Sequence, residues 1–239
     1  MTVTVNSDMG ESFGLHSFGN DDGLLPLIDA ANVACGFHAG DPATMQQTVL
    51  AALEAGILVG AHPGLPDLVG FGRREMKLDA DEVRDLVRYQ VGALTAFLGG
   101  AGGTLNHIKP HGSLYGMVAR DDALMAAVCD VAEQYETAVY GIAGTAHERV
   151  ANERKLPFIA EFYVDLDYDA DGKLIIPKRA PATDPEVAAE RTTRALTEGV
   201  GVAQTGERFE VRVETICIHS DRANAIDVAA AVRRAIDEA

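Results

Sequence analysis

The stretch Asn32-Val33-Ala34-Cys35-Gly36-Phe37-His38-Ala39-Gly40-Asp41-Pro42 passes from a short apolar run, through a glycine-flanked histidine, into a helix start. Residues 32–35 have the length and character of a buried strand. Asp41 before Pro42 places a capping carboxylate ahead of a proline at the first helical position. A strand that empties into a polar turn and then a helix is one βα unit. A chain of such units predicts a parallel sheet with helical crossovers.

The same succession recurs on both sides. Further strands are predicted over residues 3–6, 57–60, 106–109, 138–140, 158–162 and 215–218, which makes seven in all. Helical spacing joins Val83, Leu86, Val87, Val91, Leu94 and Leu98, and again Ile226, Ala229, Val232 and Ile236. Asp184-Pro185 repeats the cap-and-proline start, and Asp79 with Glu82 has capping-box spacing. Three connections are long and polar: residues 8–20, 62–78 and 165–184. Long loops of this kind usually build sites or lids. The run Gly99-Gly100-Ala101-Gly102-Gly103 precedes a strand, so it is expected as a flexible turn on the opposite face.

Six of the seven strands run into titratable groups. These tips carry Asp8 and Glu11, His38 and Asp41, His62, Lys109 and His111, Glu161 and Asp165, and His219 and Asp221. Only the fifth, ending in Gly141-Ile142-Ala143-Gly144, has none. In a closed barrel of parallel strands these ends meet on one face, where such folds place their active sites. The expected architecture is therefore an α/β, seven-stranded (β/α) TIM-like barrel, with residues 1–239 as one domain.

The totals restrict the function. There are 36 acidic residues against 20 basic ones, a formal charge of -16. That balance disfavours nucleic acid and anionic membrane surfaces as partners. No apolar stretch approaches the roughly 20 residues that cross a bilayer, and Met1 to Val5 leads straight into a strand without a signal-peptide pattern. The three cysteines, Cys35, Cys129 and Cys217, form no C-x-x-C pair, which suits a reducing cytoplasm. Cys35 and Cys217 lie in apolar patterns and read as small core side chains.

Neither a G-x-x-x-x-G-K-[ST] phosphate loop nor a G-x-G-x-x-G strand-to-helix turn occurs, and G-x-S-x-G and H-E-x-x-H are also absent. What remains is the histidine and carboxylate constellation. Asp8, His38, His62, His111 and His219 can ligate a divalent metal or share proton transfers. Lys109 can bind a carboxylate, stabilise an oxyanion or act as an amine base. Arg73-Arg74 can clamp a substrate carboxylate in the bidentate manner of guanidinium groups. Glu161 and Asp165 bracket a strand end as candidate bases, whereas Asp41 and Asp221 read as helix caps.

Taken together, Asn6-Ser7-Asp8-Met9-Gly10-Glu11-Ser12-Phe13-Gly14 resembles the opening signature of the LamB/YcsF family of 5-oxoprolinase A subunits. The resemblance continues through residues 32–42, then Gly60-Ala61-His62-Pro63-Gly64-Leu65-Pro66-Asp67 and Gly70-Phe71-Gly72-Arg73-Arg74. Lys109-Pro110-His111-Gly112-Ser113-Leu114-Tyr115 and Ile216-Cys217-Ile218-His219 extend it to the end of the chain. Three places depart from the family pattern. Leu166 stands where the family usually has an arginine, Ser220 replaces the glycine of a His-Gly-Asp, and the stretch Ala180-Pro181-Ala182-Thr183 is altered.

The resemblance implies a barrel of the glycoside hydrolase/deacetylase type. It also implies ATP-dependent opening of 5-oxoproline to L-glutamate in a complex with two other subunits, of the B and C type, with ATP acting through the complex. On that reading Asp8, Glu11, His38, His62, His111, Asp165 and His219 form the catalytic set. Lys109, Arg73, Arg74 and Glu161 bind substrate, and Asp8, His38 and His62 are the candidate ligands of a divalent metal. Two alternatives stand beside it: a metal-dependent amide or N-acetyl hydrolase acting alone, and a non-catalytic protein that only binds substrate within the complex.

Overall fold

The computed structural model describes residues 2–177 and 182–239. Lys178 to Pro181, and with them part of the altered stretch 180–183, lie outside the described residues. Seven parallel strands close into a barrel: β1 (Thr4–Met9), β2 (Ala30–Ala34), β3 (Leu58–His62), β4 (His107–Ile108), β5 (Ala138–Gly141), β6 (Phe158–Tyr163) and β7 (Thr215–His219). Each strand pairs with the next in this order, and β7 closes on β1. The expected seven-stranded barrel is thus the observed one. β1 runs on to Met9, so Asp8 stands within the strand, opposite His219 of β7 and Asn32 of β2. β4 is shorter than expected, since only Ile108 meets β3 in register before Pro110 removes a donor.

The main outer helices are α1 (Pro42–Glu54), α2 (Ala80–Gly100), α3 (Gly112–Arg120), α4 (Asp122–Gln134), α5 (Ala146–Glu153), α6 (Pro185–Glu198) and α7 (Ala225–Asp237). Their starts follow the local chemistry read from sequence. Asp41 accepts from the Ala43 and Thr44 amides at 2.8 and 3.0 Å, and Asp184 from Glu186 at 2.9 Å. Asp79 and Glu82 form the reciprocal capping box. α2 buries Val83, Val87, Val91, Leu94 and Leu98 against the sheet. Gly99 and Gly100 complete that helix instead of loosening it, and the turn begins at Ala101. In α7, Ala225 and Val228 take the inner face beside Ala229 and Val232, which leaves Ile226 42% exposed.

The apolar core lies between sheet and helices, whereas the barrel's own interior is strongly polar. Asn6 donates to Thr215 Oγ1 at 3.0 Å, Asn32 donates to Asn6 Oδ1 at 2.7 Å, and His107 Nε2 donates to Asn32 Oδ1 at 2.6 Å. The His107 ring stacks on Tyr140 at 3.8 Å. Burial, with Lys109 and His62 nearby, lowers its pKa to about 3. A short ribbon pairing Asp167–Tyr168 with Leu174–Ile175 follows β6. Among the described residues no helix is long and apolar enough to cross a membrane.

Candidate active site at the barrel mouth

Asp8 is the centre of the cup. Its Oδ1 accepts from Asn32 Nδ2 at 2.8 Å and Lys109 Nζ at 3.0 Å. That fixes the carboxylate plane and turns Oδ2 toward His62 Nε2 at 3.3 Å and His219 Nε2 at 3.8 Å. Burial opposes the charge on Asp8, but His62, Lys109 and His219 outweigh it and hold the carboxyl well below its ordinary pKa.

Lys109, 1% exposed, meets Asp8, Glu161 Oε1 at 2.9 Å, Asn6 Oδ1 at 3.2 Å and Cys217 Sγ at 2.9 Å. Burial alone would lower its pKa, yet Asp8, Cys217 and Glu161 raise it well above the usual lysine value. An ammonium gripped by two carboxylates is ill placed as a neutral amine base. Cys217, read from sequence as a core side chain, instead turns into the polar barrel, because alternate residues of a barrel strand face inward.

On one side of Asp8 the histidines converge. His62 Nδ1 donates to the Lys109 carbonyl at 2.7 Å, and His111 Nε2 donates to the Phe71 carbonyl at 2.8 Å. A carbonyl only accepts, so in a neutral ring the other nitrogen keeps its lone pair, and His62 Nε2 donates to Asp8 Oδ2 only when its ring carries both protons. Those nitrogens, His62 Nε2 and His111 Nδ1, face each other at 3.0 Å. One shared proton or one cation satisfies that contact. His38 stacks on His111 at 3.7 Å, and its Nε2 meets Glu11 Oε1 at 3.2 Å. Burial and neighbouring imidazoles press His38 and His111 well below the ordinary histidine pKa. Burial, then Asp8 and Asp221, push Glu11 well above that of a free carboxyl. Gly72 has φ of +62°, and a Cβ there would lie 2.8 Å from both His38 Cβ and His111 Cδ2, so this turn requires glycine.

On the other side, Asp165 holds His219. Its oxygens accept from His219 Nδ1 at 3.0 and 3.1 Å and from the His219 amide at 2.9 Å, and Arg222 Nε lies 3.2 Å away. Burial works against its charge, but His219 and Arg222 bring the Asp165 pKa down to about 2. Burial likewise opposes the His219 charge, and Asp165 more than compensates, so the His219 pKa is raised. The Asp165 carboxylate thus favours the protonated form of the His219 imidazole, which faces the cup.

The cleft is lined by Asp8, His62, Lys109, His111 and His219 on its polar side and by Leu166, Leu174, Ile176 and Pro177 on its apolar side. Leu166 therefore walls the site at the position where the sequence departs from the family pattern. Arg73 lines it too, with Asp221 Oδ2 at 3.0 Å and the Pro177 carbonyl at 3.4 Å. Asp221 is thus not a cap: α7 starts later, at Ala225, which frees this carboxylate to face Arg73. Arg74 does not reach the cup. Its guanidinium turns out to Asp67 and is 55% exposed. Asp41 serves as the helix cap expected of it. Arg222, Asn32, His107, Tyr115, Tyr163 and the inward turn of Cys217 were not singled out from sequence, and Asp221 was read only as a cap.

A closed βα barrel with buried carboxylates, imidazoles and an ammonium at the carboxyl ends of its strands has them on the face where barrels of this class place their active sites. The chain belongs to the LamB/YcsF family, whose model matches residues 3–239. The 5-oxoprolinase A-type subunit of Tolumonas auensis is 44% identical, over 99% of this chain and 96% of that protein. The lactam utilization protein lamB of Emericella nidulans is also 44% identical, over 98% and 94%. The crystal structure of a lactam utilization protein from Thermus thermophilus superposes with a TM-score of 0.90 at 41% identity, over 100% of this chain and 97% of that one.

Proposed function

We propose that this chain is the A-type subunit of an ATP-dependent 5-oxoprolinase, opening 5-oxoproline to L-glutamate together with B- and C-type partner subunits. The names of its full-length relatives support the reading. The observation that carries it is the placement of Asp8 Oδ2 between His62 Nε2 at 3.3 Å and His219 Nε2 at 3.8 Å. Lactam opening requires water to add to the carbonyl carbon, the C–N bond to break, and the departing nitrogen to gain a proton. The Asp8–His62 side is suited to take the proton from water. His219, whose protonated form Asp165 favours, is suited to protonate the nitrogen.

A five-membered lactam is resonance-stabilised and a poor electrophile, so coupling to ATP is chemically reasonable. Without a phosphate loop in this sequence, ATP enters through the complex. Arg73, which faces the one carboxylate of Asp221, is the better anchor for the substrate carboxylate than Lys109, which is held by two. The unpaired cysteines are in keeping with a cytoplasmic protein.

A divalent ion also fits the cup. Glu11, His38, His62 and His111 each offer a ligand atom, all within 4.8 Å of one another. Neighbouring donors stand 3.0 to 3.5 Å apart, close to the edge of a tetrahedron with bonds of about 2.0–2.1 Å. Of the three ligands expected from sequence, Asp8 falls instead in an adjoining group with Cys217 and His219. An ion held there would polarise a bound carbonyl as a Lewis acid.

The test is reconstitution with the partner subunits, ATP and 5-oxoproline, following glutamate. Asp8→Ala and His38→Ala are expected to abolish turnover. Unchanged turnover in both would reject the site, and ATP-independent amide hydrolysis by the chain alone would reject the assignment.

A further inference from the structure

Two tyrosines that the proposed chemistry leaves unused share one carboxylate. Tyr163 Oη lies 2.7 Å and Tyr115 Oη 2.9 Å from Glu161 Oε2, while Glu161 Oε1 meets Lys109 Nζ at 2.9 Å. A carboxylate oxygen only accepts, so each phenol commits its single hydrogen to Glu161. What each hydroxyl retains is lone pairs, with no hydrogen to give the substrate. Tyr163 is the freer acceptor, because its own hydroxyl also lies within hydrogen-bond reach of the Tyr115 oxygen. Both residues line the cleft beside Asp8 and His219, and the Tyr163 ring lies 5.7 Å from the His219 ring. They are only 2% and 3% exposed, so bulk water competes little for those lone pairs. The Glu161 charge behind them makes each oxygen a stronger acceptor.

We infer that Tyr163 and Tyr115 determine substrate specificity by accepting a hydrogen bond from the substrate's N–H, so that the cup selects secondary cyclic amides over N-substituted ones. This rests on the lactam reading and extends it from the ring carbonyl to the ring nitrogen. Glu161, expected from sequence to bind substrate directly, acts through the two phenols as a positioning residue. The arrangement also favours ring opening. As the C–N bond breaks, the nitrogen takes a proton from the His219 side and becomes a better donor toward the tyrosine oxygens. A lactone or ester of similar shape offers no such donor and leaves the buried acceptors unpaired.

The test pairs 5-oxoproline with its N-methyl analogue. Calorimetry on the isolated chain measures binding, and the reconstituted complex with ATP measures kcat/KM. The wild type is expected to prefer the N–H compound by about tenfold or more, the value of one hydrogen bond. Tyr163→Phe and Tyr115→Phe, checked for unchanged melting temperature, are expected to shrink that preference by weakening the N–H compound alone. A merely structural role for the tyrosines would weaken both compounds equally. No preference in the wild type, or the full preference surviving in both phenylalanine variants, overturns the inference. A preserved binding preference without glutamate formation by the complex overturns only the hydrolase reading.

Discussion

Replacing Asp165 by asparagine keeps the shape of a buried side chain and removes only its charge. The carboxylate receives His219 through ring and backbone and lies 3.2 Å from Arg222 Nε, with no exposure of its own side chain. Its pKa falls from 3.8 to about 2 on folding, and at about 1.4 kcal/mol per unit this gives roughly 2.5 kcal/mol of stability near neutrality. Leaving the buried Arg222 and the half-buried His219 without it raises the expected loss in Asp165→Asn toward about 3–5 kcal/mol.

The sign follows from the depressed pKa. Stability from the carboxylate is fully present above the unfolded value of 3.8 and is lost as the pH falls through about 2. His219 behaves oppositely: its pKa is raised, so its share is full below its unfolded value and fades as the pH rises through the folded one. Urea unfolding of wild type and Asp165→Asn between pH 2 and 9 should therefore show a stability gap that is widest in mildly acidic solution and narrows at both ends. The gap at high pH stays above zero because Arg222 keeps its charge. A gap independent of pH, or smaller than about 0.5 kcal/mol near pH 6, the range of an ordinary surface change, would refute this account.

Asn32→Ala should lower kcat more than it changes KM, because the Asn32 amide aims Asp8 Oδ2 without lining the cleft; steady-state kinetics of the complex decide it. Gly72→Ala should destabilise the fold by roughly 1–3 kcal/mol, since φ is +62° and the new methyl meets the His111 ring and the His38 Cβ; thermal unfolding gives the answer. Arg73→Ala should raise KM for 5-oxoproline, whereas Arg74→Ala should not, because only Arg73 lines the cleft. Cobalt(II) titration should produce the intense visible absorption of a tetrahedral site, lost in His111→Ala if the proposed ligand set is right.

The strands and helix starts were legible because their signals are local. Asp41-Pro42 and the Asp79/Glu82 box act within a few residues, so spacing alone reveals them. Asp8, His38, His62, His111 and His219 were legible for a related reason: a parallel barrel gathers strand ends wherever its helices lead. Partnerships were not legible. Arg73 finds Asp221 across 148 residues and Lys109 finds Cys217 across 108, distances at which sequence spacing is silent. The polar barrel interior hid another part. Asn32, His107 and Cys217 lie in short apolar runs that read as ordinary core strands, yet each faces inward to a hydrogen-bonded network. The reach of an arginine is equally unreadable: after the turn at Gly72, Arg73 points in to Asp221 and Arg74 out to Asp67.

The seam where β7 closes on β1 has a consequence for how the molecule matures. Asp8 and His219 are register partners although 211 residues separate them, so the central pair is completed only when the last strand docks against the first. The contacts of Asp8 to Asn32, His62 and Lys109 do not involve this last strand and can form earlier. Pairings of such long range are slow, because the loop-closure entropy must be met before the contact contributes. Proton-transfer competence would then arrive as the final event of folding, and recovery of activity during refolding would trail the recovery of helix content by the time this seam takes to close.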